Sequence, residues 1–326
     1  MAPTSSSSHK MESLDVEASS STAFSVAVAE TQGRRASHED AHSVACTDQS
    51  GEFWLLDGHR GSEASHFGAR ELPCELGQTI QNGRLPSDSR ITQGFRTVDN
   101  SLRKYFKETG IKKAGSTVVG ALVVLEDDGT YTAKIINCGD SRAIIIKDPN
   151  DEDQGRPYCV METTDHKPNN PSEKARIKAA GGSVTCGRCP RVDGRIAVCR
   201  SFGDFDFKEG KRLKSSEQKV SCEPDIYDIS GLQPGSLLLL ACDGVWDVMS
   251  SKMVAKKVRE QLKVDPGADL RDVASFIVRQ SYKKGSTDNL TVLLVRLSGG
   301  LPASAADVLA VEAMGSGEEP GGCPTS

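Results

Sequence analysis

The chain has 326 residues, 26% of them charged and 37% hydrophobic, and its 40 basic and 45 acidic side chains leave a formal net charge of −5. That balance gives no global attraction to nucleic acid or to an anionic membrane, so any affinity for phosphate must be local. The longest apolar stretch, Val118 to Leu125, falls well short of the roughly 20 residues that span a bilayer.

The first residues lack the apolar segment of a secretory signal, and the chain starts Met-Ala where myristoylation needs Met-Gly. A cytoplasmic or nuclear location and no membrane partner are therefore expected. Several of the ten cysteines, Cys46, Cys138, Cys199 and Cys242 among them, fall inside predicted strands, where small thiols pack without bonding. All are read as reduced.

Residues 1–22 are serine-rich and poor in branched or aromatic side chains, which predicts a disordered tail. Strands are predicted at Phe24 to Glu30, His42 to Thr47 and Phe53 to Leu56, and a helix follows behind a Ser87 or Asp88 cap, with Ile91, Phe95, Val98, Leu102 and Phe106 on one face. Ser116 to Glu126 and Tyr131 to Asn137 are strands joined by "EDDGTY", whose Asp-Gly turn makes them an antiparallel hairpin. After a strand at Arg142 to Lys147, a short helix runs from Ser172 to a glycine stop at Gly181. Further strands are predicted at Arg195 to Arg200, Ser236 to Ala241 and Leu290 to Leu297. "KMVAKKVREQLK", at 252–263, reads as the solvated face of a helix, and Leu270, Val273, Ala274, Ile277 and Val278 mark another. From 299 the chain turns to Gly, Pro, Ser and Ala, a second tail with at most one weak helix near 304–314. One domain over residues 23–298 is expected, in the α+β class: a central antiparallel β-sandwich with helices on both outer faces.

Seven acids sit where apolar strands meet loops: Glu39, Asp40, Asp57, Asp140, Asp243, Asp247 and Asp288. Any one of them alone is an ordinary turn former. Carboxylates gathered at one end of buried strands would repel each other by several kcal/mol unless a cation intervened, and oxygen ligands favour hard ions such as Mg²⁺ or Mn²⁺. A carboxylate cluster for two metals is the economical explanation.

These acids lie in nine ordered motifs: "QGRRASHEDAH", "LLDGHRG", "GSTVVGAL", "NCGDSRA", "TTDHKPNNPSEKARIKAAGG", "AVCRSFGDFDFK", "EPDI", "LLACDGVWDVMS" and "GSTDNLTVLLV". Through them, over about residues 24–297, the chain resembles the metal-dependent Ser/Thr protein phosphatases of the protein phosphatase type 2C family. The resemblance implies hydrolysis of phosphoserine and phosphothreonine in proteins by a hydroxide activated between two metals, without a covalent intermediate. It implies that Asp57 bridges both ions, that the Gly58 carbonyl completes one shell, that Asp243 and Asp288 bind the first ion, and that Glu39 reaches the second through water with Asp40 in support. Asp140, Asp243 and Asp247 correspond to the place of a weaker third ion. Arg35 matches the arginine that grips the substrate phosphate, and His59 the histidine that protonates the leaving oxygen. Phosphoproteins are the implied partners, of a monomer that binds no nucleic acid.

Physical chemistry supports these roles separately. Two ions about 3.5–4 Å apart can activate a nucleophile and neutralise phosphoryl oxygens. A serine or threonine alkoxide leaves poorly unless a group titrating near neutrality protonates it, and an arginine fork binds two phosphate oxygens at once. Spacing to Glu39 favours Arg35 over Arg34. Other residues read as structural or stay open: Asp165 and His166 as turn hydrogen-bonders, Arg200 as lining the cleft or pairing with a buried acid, and Cys186 and Cys189 as a loop, a redox pair or half a zinc site. Arg60 departs from the family pattern, which has glycine there; its charge could aid phosphate capture, weaken metal binding or point away. Two rival functions are a scaffold with the same fold but weak catalysis, and a two-metal hydrolase of small phosphoesters or nucleic acid. The retained acids speak against the first and the acidic balance against the second.

Overall fold

The computed structural model describes residues 11, 13–77, 80, 83–147, 159–265 and 268–299. One antiparallel sheet has the strand order β1 (Asp15–Ser20), β2 (Phe24–Thr31), β14 (Leu290–Leu297), β13 (Leu237–Ala241), β9 (Arg142–Ile146) and β10 (Cys159–Glu162). A second has the order β12 (Asp225–Leu232), β8 (Tyr131–Cys138), β7 (Val118–Leu125), β4 (Ser50–Leu56) and β3 (Ala41–Cys46). A small third sheet, β11 (Phe202–Gly203), β6 (Gly115–Ser116) and β5 (Gly58–His59), lies at the end of the second.

Period-two alternation builds the layers. On β4, Phe53 and Leu55 face the other sheet, where they meet Leu238 and Leu240 of β13 and Leu293 and Val295 of β14. Trp54 and Leu56 point the other way, under α1 (Glu63–Leu76) and α2 (Asp88–Thr109). Leu237 and Leu239 of β13 face α5 (Ser251–Val264) and α6 (Leu270–Lys283). The result is the expected sandwich with helices on both faces. Each fully buried large apolar side chain contributes about 1.5–3 kcal/mol, so three continuous layers of them fix the strand register. The cap on α2 is also as predicted: Ser87 Oγ accepts from Arg90 N, and Gly110 ends the helix at φ 76°.

Two expectations need correction. Within the expected disordered tail, Asp15–Ser20 form an edge strand paired along its length with β2. Pairing uses backbone groups, so a serine-rich edge can join the sheet with its side chains mostly exposed, while Leu14 and Val16 pack against the core. Arg195 to Arg200 do not form a strand. Asp193 at φ 49° and Gly194 at φ 71° reverse the chain, and Val192, Ile196, Val198 and Cys199 bury instead in a satellite cluster with Ile177 of α3 (Pro171–Ala179), Phe207 and Val220. Helix α1 and strands β10 and β12 were not anticipated. The expected tail beyond Gly299 lies outside the described residues.

Glu173, buried on α3, holds the satellite cluster to the sandwich. It accepts from Arg200 Nη2 at 2.7 Å and pairs with Arg176, while Arg200 also reaches Asp225 at 2.7 Å. Arg200 therefore pairs with acids. Burial alone would raise the Glu173 pKa, but the two guanidiniums outweigh it and pull it down to about 2, from an ordinary 4.5. A depressed carboxylate pKa stabilises the fold above the unfolded value and loses that contribution as pH falls from about 4.5 towards 2. Glu173→Gln should cost about 3 kcal/mol at pH 7 by urea denaturation, with the gap to wild type closing as pH drops through that window; a gap independent of pH would remove the ion pair as its cause.

Candidate metal and phosphate site

Strand register brings the acids together. Ala41 of β3 opposes Leu56 of β4, Val118 of β7 opposes Cys138 of β8, and Ala241 of β13 opposes both Arg142 of β9 and Val292 of β14. The residues next along the chain, Glu39-Asp40, Asp57, Asp140, Asp243 and Asp288, therefore leave both sheets at one end. Asp243 opens the short helix α4 (Asp243–Trp246), which carries Asp247 at its end.

The backbone carbonyl of Asp57 accepts from Thr117 N at 2.9 Å and from Ser116 Oγ at 3.2 Å, which fixes the turn into β5. Gly58 is required there, because a Cβ would lie 2.2 Å from the Glu39 carbonyl oxygen. Asp40 is buried: its Oδ2 accepts from Thr291 Oγ1 at 2.6 Å, whereas its Oδ1 is buried with no partner. Ligand atoms of Asp40, Asp57 and Cys242 lie within 4.8 Å of one another. Asp288 accepts from Arg35 at 2.5 Å. Asn289 ties this acid to the Glu39 loop, accepting from Glu39 N at 2.9 Å and donating to the carbonyls of Gln32 and Ser37 at 2.8 and 2.9 Å. Arg34 turns away, its guanidinium bonded to the Ser286 and Tyr282 carbonyls. Arg35, not Arg34, is the arginine at the cluster.

Electrostatics follow from crowding. Burial, then the charges of Asp243, Asp40, Asp140 and Asp288, hold Asp57 well above the ordinary carboxylate range. Asp243 is raised in the same way, by burial and then by Asp140, Asp288 and Asp247. Burial pushes Asp40 up to about 6 against the opposing Thr291 hydrogen bond. At an effective dielectric of 20, two carboxylates 4–5 Å apart repel by about 3–4 kcal/mol. Cys242 is also pushed well up by burial and the neighbouring acids, so without a cation it is a neutral thiol. The unpartnered buried oxygen of Asp40 and the set of oxygen donors around it fit a hard divalent cation. One internal cation is already present: Lys167 Nζ donates to Asp140 Oδ2 at 2.5 Å, and Asp243 and Asp247 also raise its pKa.

His59 stands beside this cluster on β5. Its Nε2 lies 2.7 Å from Asp204 Oδ2, and the same carboxylate accepts from Ser201 Oγ at 2.6 Å and from Arg60. Gly115 on β6 makes room, since a Cβ would fall 2.2 Å from Asp204 Oδ2 and 2.4 Å from His59 Nε2. Burial lowers the His59 pKa, but the charge and hydrogen bond of Asp204 outweigh it and leave it raised. Arg60, at φ 61°, is left-handed, which is why glycine suits the position. Its guanidinium is bound to Asp204 and lies 3.7 Å from Asp206, away from the acid cluster. His166 and Asp165 are structural: His166 Nδ1 accepts from Gly139 N at 3.0 Å, and Asp165 accepts twice from Arg142.

Sequence reading missed Asp204, Lys167, Asn289 and Thr291. All four lie in or beside quoted motifs, but a single Asp after Gly or a single Lys before Pro carries no signal of the buried partner it meets.

This fold and this acid-lined end define a class, that of the protein phosphatases. Residues 24–290 match the family "Protein phosphatase 2C", and the chain belongs to that family. It is 36% identical over 278 residues to human "Protein phosphatase 1A", covering 81% of this chain and 68% of the relative, and 34% identical over 285 residues to human "Protein phosphatase 1B", covering 82% and 56%. The chain thus spans little more than half of the second relative. A solved phosphatase structure from Toxoplasma gondii superimposes with a TM-score of 0.74 at 28% identity, covering 85% of this chain and 93% of that one.

Lys167→Met leaves Asp140 buried without its cation. The metal-free protein should lose about 1–3 kcal/mol by urea denaturation, and Mn²⁺ should restore more stability to the variant than it adds to wild type. An unchanged midpoint would show that the pair contributes nothing.

Proposed function

We propose that the chain hydrolyses phosphoserine and phosphothreonine in proteins with the help of two divalent cations, Mg²⁺ or Mn²⁺. The observation that carries this reading is the convergence of Asp40, Asp57, Asp140, Asp243 and Asp288 at one end of the sandwich, with the carboxyls of Asp40, Asp57 and Asp243 held above their ordinary range and one Asp40 oxygen unpartnered. Asp57, the Gly58 carbonyl, Asp243, Asp288 and Glu39 would hold the two ions with Asp40 behind them, and Asp140, Asp243 and Asp247 a weaker third. When bound, the cations supply positive charge that draws the phosphate dianion and activates water.

The remaining work falls to this chain's own residues. Arg35 is half-exposed and tethered to Asp288, so its fork is held at the mouth of the cluster where a phosphate would approach. His59 protonates the departing serine or threonine oxygen. Its Nε2–H is committed to Asp204, which orients the ring and stabilises the imidazolium, and this leaves Nδ1–H for the substrate. Asp204 is thus a positioning residue.

Two measurements test this. Phosphate release from a phosphothreonine peptide should require Mn²⁺ or Mg²⁺, stop with EDTA, and fall at least about 100-fold in Asp243→Asn; release that persists in EDTA would sink the reading. Asp204→Asn should lower kcat on a phosphoserine peptide by about 100-fold, as a general acid's loss does, yet slow an aryl phosphate far less, because a phenolate leaves without protonation. Equal losses on both substrates would reduce Asp204 to a structural role.

A further inference from the structure

Cys186 and Cys189 lie at the tip of a short hairpin that the phosphatase reading does not use. Its arms are closed by Asp193 N donating to Ser183 O at 2.9 Å, by Thr185 N donating to Arg191 O at 3.0 Å, by Arg191 N donating to Thr185 Oγ1 at 2.9 Å, and by the Val184–Val192 bridge. Thr185 and Arg191 are thereby pinned across from each other, and residues 186–190 must reverse the chain between them. The chain bends at residues 187–189, and residues three apart across a β-turn lie within about 7 Å between Cα atoms, close to the roughly 4.4–6.8 Å that a disulfide spans. Gly187, at φ 129°, gives the turn its freedom and has open space where a Cβ would be.

Both thiols are free and exposed. Of the other described cysteines only Cys74, on α1, is exposed; Cys138, Cys199, Cys222 and Cys242 are buried. A metal would need further ligands, but among the described residues the only set of three His, Cys, Asp or Glu groups close enough to share an ion is Asp40, Asp57 and Cys242. A metal at the tip would rest on two thiolates, whereas a disulfide needs only the pair. Arg188 lies between the cysteines and Arg191 follows them, both exposed, so the tip attracts anionic reagents. The base of the hairpin is tied towards His59, since Arg195 pairs with Asp206, which lies beside Arg60 on the shared carboxylate of Asp204.

We infer that Cys186 and Cys189 form a reversible dithiol–disulfide couple, oxidised by a low-molecular-weight anionic disulfide of the glutathione class. One protein thiol loses its proton and attacks a reagent sulfur, forming a mixed disulfide and expelling one glutathione thiolate. The second protein thiol, also deprotonated, attacks the protein sulfur of that mixed disulfide and expels the other glutathione. Two electrons pass from the protein to the reagent, and the two protons end on the two released thiols.

The sequence supplies its own readout. Trypsin cuts after Lys178, Arg188 and Arg191 and so separates residues 179–188 from 189–191, one cysteine on each. The full chain, reduced and then equilibrated with glutathione disulfide, is quenched with acid, alkylated and digested. The two peptides should remain joined, two hydrogens lighter than the sum of their thiol forms, and should separate with dithiothreitol. Cys74 in the same sample should carry glutathione singly, and Cys189→Ser should leave Cys186 as a stable glutathione adduct. Separate glutathione adducts on both wild-type cysteines would overturn the inference. So would free thiols at a reagent concentration that modifies Cys74, or stoichiometric Zn²⁺ uptake that is lost in Cys186→Ser.

Discussion

Mutual repulsion among carboxylates at one end of the sandwich is the constraint around which the rest of this molecule is arranged. A single pair such as Asp40 and Asp57, with oxygens less than 4.8 Å apart, opposes folding by about 3–4 kcal/mol at an effective dielectric of 20. That is about the burial of two large apolar side chains. The sheets can hold the acids in place because three of the strands that lead to them are buried on both faces: Phe53 to Leu56, Leu237 to Ala241 and Leu290 to Val295 are all buried. A one-residue slip of any of these strands would exchange its two faces and move its acid out of the cluster. Register and site are therefore one specification.

The same logic explains the small third sheet. It pairs only two residues per strand, Gly58-His59 with Gly115-Ser116 and these with Phe202-Gly203, too little to stabilise anything by itself. What it does is bring Asp204 to His59. A buried carboxylate is tolerable only where its lone pairs are filled, and Asp204 has the Ser201 hydroxyl, the His59 ring and the Arg60 guanidinium around it.

The layers of the fold were legible because helix and strand periodicities are local properties: the Ile91 to Phe106 stripe and the Asp-Gly hairpin at 126–131 both form as read. The acids were legible as a group, since each ends an apolar run. What could not be read is partnership across long separations in sequence. Asp204 meets His59 across 145 residues and Lys167 meets Asp140 across 27, and nothing in either neighbourhood announces the other. The edge strand β1 escaped for a different reason. Its pairing uses backbone atoms, to which composition is blind, so serine content argued for disorder where the sheet edge offered bonds.

Arg60 shows how such unseen partners change the meaning of a single residue. Judged from the turn alone, arginine is wrong there, because a left-handed backbone costs a non-glycine residue about 1–2 kcal/mol. A hydrogen bond between charged groups contributes about 1.5–3 kcal/mol, and Arg60 makes one to a carboxylate with no solvent exposure of its own. The bond is of the same size as the strain and offsets it, so the departure from glycine is tolerated. It also leaves the clustered acids alone, since the guanidinium charge is spent on Asp204 and its neighbour Asp206. The cation that does enter the acidic cluster comes from elsewhere in the chain, from Lys167 just before α3, and it pairs with Asp140.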